Sequence, residues 1–84
     1  MQSSQCHKTI EQVTRSYIVR MHSFMVRRFG GRWRQDCQIV LGGEAPRWLK
    51  HNPSKVPRYD ALAAFEAKIV KLGFDPTVER KFSE

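Results

Sequence analysis

Carboxylates are scarce in the first part of this chain. Residues 1–34 hold a single acid, Glu11, against seven Lys/Arg (Lys8, Arg15, Arg20, Arg27, Arg28, Arg32, Arg34), whereas residues 35–84 hold seven acids against eight bases. Thus +6 of the formal net charge of +7 lies in the first 34 of 84 residues. A field of that sign attracts phosphate and repels basic surfaces, which makes a polyanion the leading class of partner.

Cysteine is almost as rare. Cys6 and Cys37 are the only two, too few for a disulfide scaffold, and they lack the CxxC spacing of zinc or thiol redox chemistry. Whether the two pair is left open by sequence. The expected setting is a reducing intracellular one, cytoplasm or organellar matrix. Long apolar runs are missing too: runs such as Ile39–Leu41 fall far short of the roughly 18 residues that a membrane-spanning helix needs. The N-terminus has no apolar signal region. Its Ser- and Arg-bearing, acid-poor composition fits an organellar transit segment and equally the start of a basic domain.

Motifs of catalysis are absent in the same way. Cys6, His7, His22, Cys37 and His51 show no short ligand spacing, so no metal is expected. Asp36, Glu44, Asp60 and Glu66 show no general acid/base pattern, and Gly42-Gly43-Glu44 lacks the Lys-Ser/Thr of a phosphate loop. Asn52-Pro53-Ser54 has proline where a glycosylation acceptor forbids it. The expectation is a protein that is not an enzyme and takes no cofactor.

What is present suffices for a folded domain: 40% hydrophobic and 11% aromatic residues are more than a disordered chain of this charge carries. One domain over residues 1–84 is expected, with 1–8 as a flexible lead and 75–84 as a tail. Thr9 and Gln12 match a capping box. From there Ile10, Val13, Tyr17, Ile18 and Met21 recur at helical steps, which predicts a helix over 9–21. Towards and beyond its end, Ile18, Val19, Phe24, Val26 and Phe29 favour strand. Gly30-Gly31 matches a two-residue hairpin turn, and Trp33, Gln35, Cys37, Ile39 and Leu41 alternate with Arg32, Arg34, Asp36, Gln38 and Val40. A β-hairpin over about 22–41 follows.

Gly42-Gly43 ends the second strand, and Pro46, Pro53 and Pro57 mark an irregular connection with one short helical turn near Arg47–Lys50. Trp48 and Leu49 should anchor it. Tyr59–Leu72 reads as a helix with Leu62, Phe65, Ile69 and Leu72 on one face, ended by Gly73 with Phe74 folding back. Pro76 can open a further turn. The expected fold class is α+β: N-terminal helix, antiparallel β-hairpin, irregular connection, and C-terminal helix packed on the small sheet. The order resembles double-stranded-RNA-binding folds, without their third strand or the Lys-rich start of their last helix.

In that layout Arg27 faces Arg34 across the ribbon, a like-charge pair that a bound phosphate would relieve. Arginine's fork donates two parallel hydrogen bonds to phosphate oxygens and stays charged. The expected nucleic-acid-binding residues are therefore Arg20, Arg27, Arg28, Arg32 and Arg34, extended by Arg47, Lys50 and Lys55 in the connection. Trp33 is expected in the core or against Arg28, with base stacking as the competing role. The leading expectation is binding to a nucleic-acid backbone, RNA before DNA, within a ribonucleoprotein. The contrasting expectation is a protein-binding module anchored by Trp48 and Tyr59: an accessory subunit of a large assembly, or a small inhibitor covering an acidic or nucleic-acid-binding face.

Overall fold

A computed structural model describes residues 8–84. The capping box forms as expected: the Thr9 amide donates to Gln12 Oε1 at 2.9 Å and the Gln12 amide to Thr9 Oγ1 at 3.1 Å. Helix α1 starts there and runs from Ile10 to Phe29, well past the expected end at residue 21. The β-hairpin does not exist. A 3-10 turn, Gly30–Arg32, leads directly into a second helix, α2, Trp33–Leu41, and there is no strand among the described residues. The fold is helical, not α+β, and the likeness to double-stranded-RNA-binding folds goes with the sheet.

The physical reason is that both periods fit the same residues. Trp33, Cys37 and Leu41 alternate as a strand would, but they also stand four apart and share one helical face. Trp33 and Cys37 are buried while Ile39, on the expected core side of the strand, is 80% exposed. In α1 the stripe of Tyr17, Ile18, Met21 and Met25 is buried throughout, so packing outweighs the small strand preference of the β-branched residues between them. Arg28 follows the same stripe but lies in the last turn, exposed, with its guanidinium carbon 5.5 Å from the Phe29 ring centre.

Glycine at position 30 is needed for a different turn from the one expected. Gly30 has φ 82° and ψ −158°, a region open essentially to glycine alone, and its amide donates to the Val26 carbonyl as α1 ends. That reversal turns α2 back against α1, so that Trp33 meets His22 edge to face with ring centres 5.1 Å apart. A Cβ at position 30 would meet nothing within 4 Å, so strain, not crowding, sets the effect of substitution. Gly30→Ala should lower the unfolding free energy by about 1–3 kcal/mol, read by urea denaturation. An unchanged midpoint would mean that the reversal carries no strain.

The connection from 42 to 58 crosses the molecule with one turn closed by Leu49 N–H donating to the Pro46 carbonyl at 3.2 Å. Helix α3, Tyr59–Val70, then buries Leu62, Phe65 and Ile69. Its end is as expected: Gly73 has φ 107°, and the Phe74 amide donates back to the Ile69 carbonyl at 3.2 Å. Phe74 is buried against Phe24 and Tyr17, with ring centres 5.3 and 5.9 Å away. The tail is more than one turn. Asp75 caps helix α4, Pro76–Ser83, by accepting from the Thr77 and Val78 amides at 3.1 and 3.3 Å.

Helix α4 lies along α1, with Arg20 paired to Glu79 and Lys8 Nζ donating to the Ser83 carbonyl at 3.2 Å. Lys8 aside, the expected flexible lead, the transit-type segment and Cys6 fall outside the described residues. One core of Tyr17, Ile18, Met21, Met25, Trp33, Cys37, Leu49, Leu62, Phe65, Ile69 and Phe74 joins the helices and the connection. The molecule is elongated, about 49 × 22 × 22 Å. No helix is long and apolar enough to cross a membrane among the described residues.

Candidate functional site

Ion pairs divide the molecule in two. Glu11 pairs with Arg15, Glu79 with Arg20, Asp60 with Arg58, and Glu66 with Arg80. All four lie on the first two-thirds of α1, on α4, or at α3 and its entry. From Arg27 to Lys55 the chain carries seven Lys/Arg (Arg27, Arg28, Arg32, Arg34, Arg47, Lys50, Lys55) against Asp36 and Glu44, a net +5. None of these nine side chains is in an ion pair among the described residues.

Two of the expected binding residues are occupied. Arg20 donates from Nε to Glu79 and lies over Phe82 at 5.0 Å, which sets it apart from the basic group. Arg34 is a brace: its Nη2 donates to the Leu49 carbonyl at 2.9 Å, its Nη1 reaches the Pro46 carbonyl at 3.5 Å, and its guanidinium carbon stands 4.4 Å from the Trp33 ring centre. The cross-strand pair of Arg27 with Arg34, and the electrostatic discomfort argued from it, is gone with the hairpin. Trp33 is buried, so base stacking is not open to it, and its cation is Arg34, not Arg28.

The brace has a consequence for the rest. By fixing carbonyls at 46 and 49 to the start of α2, Arg34 ties the stretch that carries Arg47 and Lys50 to the α1–α2 corner. Arg47 lines a cleft with Arg34, Gln35, Gln38 and Glu44, and also lines the neighbouring cleft with Trp48, Lys50, Pro53 and Lys55. Arg27, Arg28, Arg32, Arg47, Lys50 and Lys55 are all exposed. The connection then runs back along α1, with His51 beside His22 and the Ser54 carbonyl accepting from Arg15 at 3.1 Å, so these six exposed cations, none in an ion pair among the described residues, follow its course from the α1–α2 corner.

Trp48 is half-buried and packs edge-on against Phe65, ring centres 5.7 Å apart, so part of it is core and part faces the cleft with Arg47, Lys50 and Lys55. Tyr59 stands elsewhere. It is 76% exposed and, with Ile10, Val13 and Leu62, lines a cleft whose wall includes the buried Tyr17. Burial pushes the Tyr17 phenol up to about 12, so it stays protonated, and its hydroxyl has no hydrogen-bond partner among the described residues.

Sequence reasoning missed His22 and His51. They are 29 positions apart, yet their ring centres are 6.1 Å apart, and with Ser23, Val26 and Arg27 they line a cleft of about 420 Å³. Burial, and then the neighbouring His51 and Arg34, hold the His22 imidazole below the ordinary histidine value. No short-range signal marks such a pair, because α1 and the connection bring it together only through the fold. Among the described residues no three His, Cys, Asp or Glu side chains converge as a metal site. Cys37 is buried, and that burial pushes its thiol up, so nothing there favours a nucleophilic thiolate. No family model, curated protein or solved structure matches this chain.

Proposed function

We propose that the protein is a non-enzymatic binder of a nucleic-acid phosphate backbone, and that the α1–α2 corner with the connection beside it is its binding face. One observation carries this reading: Arg27, Arg28, Arg32, Arg47, Lys50 and Lys55 are all exposed and none of them is in an ion pair among the described residues. Cations left unpaired release counterions from a polyanion on contact, and that release supplies the affinity. Little sequence selectivity is expected, since backbone contacts carry no base information. We place the activity in an intracellular setting, where RNA is the first ligand to test and duplex DNA the second.

The test is the salt dependence of binding to a single-stranded RNA oligonucleotide, followed by fluorescence anisotropy. Six neutralised phosphates predict a slope of about −4 in log K against log salt. A slope shallower than about −1 would remove the reading. Capture from extract should also be abolished by nuclease. A second reading, an accessory subunit of a larger protein assembly, is favoured by the exposed Ile10 and Tyr59 at the cleft beside Tyr17. That reading predicts capture that resists both nuclease and salt, and that is lost in Tyr59→Ala.

A further inference from the structure

We propose that the cleft between His22, Ser23, Arg27 and His51 seats one phosphate of the bound nucleic acid, and that seating it draws protons onto the two imidazoles, so that binding tightens as pH falls. The proposal rests on the polyanion reading above and adds to it a specific seat and a regulating variable.

The chemistry of the lining argues for an anion. Every polar group on the cleft can donate: the Ser23 hydroxyl, the Arg27 guanidinium, and either imidazole once protonated. Nothing on it is a carboxylate. Around His22 stand His51 from the connection, Trp33 and Arg34 from α2, and Arg27 further along α1. From α4, Glu79 shares the next cleft along with Arg27, but it already accepts from Arg20. The cations facing His22 are therefore Arg27 and Arg34, and the carboxylate nearest the cleft, Glu79, is held by Arg20. In the free protein burial, and then His51 and Arg34, oppose protonation of His22, and a phosphate bound in the cleft would bring a negative charge beside it.

The same cationic surroundings argue against a divalent metal between the two histidines, since Arg27 and Arg34 would repel it and no third ligand is at hand among the described residues. A phosphodiester keeps one negative charge across the range in which histidine titrates, so any change of affinity there belongs to the protein. An anion in contact raises an imidazole by about one pK unit. Each ring then contributes up to about tenfold in affinity on going from about pH 7.5 to about pH 5.5.

The experiment uses the whole chain carrying His7→Asn, so that His22 and His51 are the histidines left to titrate. Affinity for single-stranded RNA is measured at fixed salt across that pH range. In parallel, sulfate, a dianion throughout, is titrated while the imidazole resonances are followed. The expected result is a tightening of about tenfold or more, reduced several-fold by His51→Asn, with both rings moving on sulfate addition. His51 is exposed, so its replacement leaves the core untouched, and far-UV circular dichroism checks that it does. Salt-dependent RNA binding with the same pH dependence in His51→Asn would overturn the phosphate seat and leave the polyanion reading standing. Sulfate shifts without RNA binding at any pH would overturn the reading and the nucleic-acid occupant together.

Discussion

Leu49→Ala should unfold at a markedly lower urea concentration and should also bind RNA more weakly, although Leu49 has no charge and no exposed surface. Its side chain is fully buried in the shared core, and truncation of a buried leucine costs about 2–5 kcal/mol from lost burial and the cavity left behind. A domain of this size has on the order of 8 kcal/mol in total. The second effect follows from position. Leu49 is the connection's fully buried hydrophobic residue, and its carbonyl accepts from Arg34, so loosening it frees the neighbouring Arg47 and Lys50 from the corner.

Phe74→Ala supplies the comparison. Phe74 packs on Tyr17 and Phe24 at the start of α4, away from the connection, and its loss costs about 3–5 kcal/mol. If both variants are assayed where each remains folded, the Leu49 variant should lose several-fold in RNA affinity and the Phe74 variant should match the parent. Equal affinities in the two would show that the basic face does not depend on the brace.

The elements that local chemistry alone decides were legible in the sequence. Thr9 with Gln12 and Gly73 with Phe74 each satisfy backbone groups within a few residues, and the structure has both ends; Pro76 opens a helix as expected, longer than the one turn read from sequence. The stripe of Leu62, Phe65 and Ile69 could only be a helix face, because alternation would scatter it. Residues 22–41 were not legible, because Trp33, Cys37 and Leu41 satisfy both periods and glycine at position 30 says only that a positive φ is required. The decision is made by burial. A lone two-stranded ribbon is marginal in water, whereas continuing α1 buries Met21 and Met25 completely.

The candidate site divides along the same line. The excess of cations over acids between Arg27 and Lys55 is a property of composition, and it survives the change of fold. What each cation does is a property of long-range contacts. Arg20 reaches Glu79 across 59 positions and Arg34 reaches the Leu49 carbonyl across 15, so neither diversion has a local signature. The His22–His51 pair is hidden for the same reason.

Charge placement, rather than charge, is what the binding face must demonstrate. The double variant Arg47→Glu with Lys50→Glu changes the net charge from +7 to +3, and so does Lys71→Glu with Lys81→Glu. All four residues are exposed and none is in an ion pair among the described residues, so either double variant should alter stability by only about 1 kcal/mol. Nonspecific attraction through the total field would weaken equally in both. A local face instead loses two phosphate contacts in the first variant alone: its salt slope should fall by about 1.4 for single-stranded RNA, and its affinity at about 0.1 M salt should drop by about a hundredfold, against less than about threefold in the second. Screening keeps the distinction sharp, because at that ionic strength a charge more than about 10 Å from the bound strand contributes little. Matching losses in the two variants would mean that the molecule attracts RNA as a whole and that the α1–α2 corner is not its binding face.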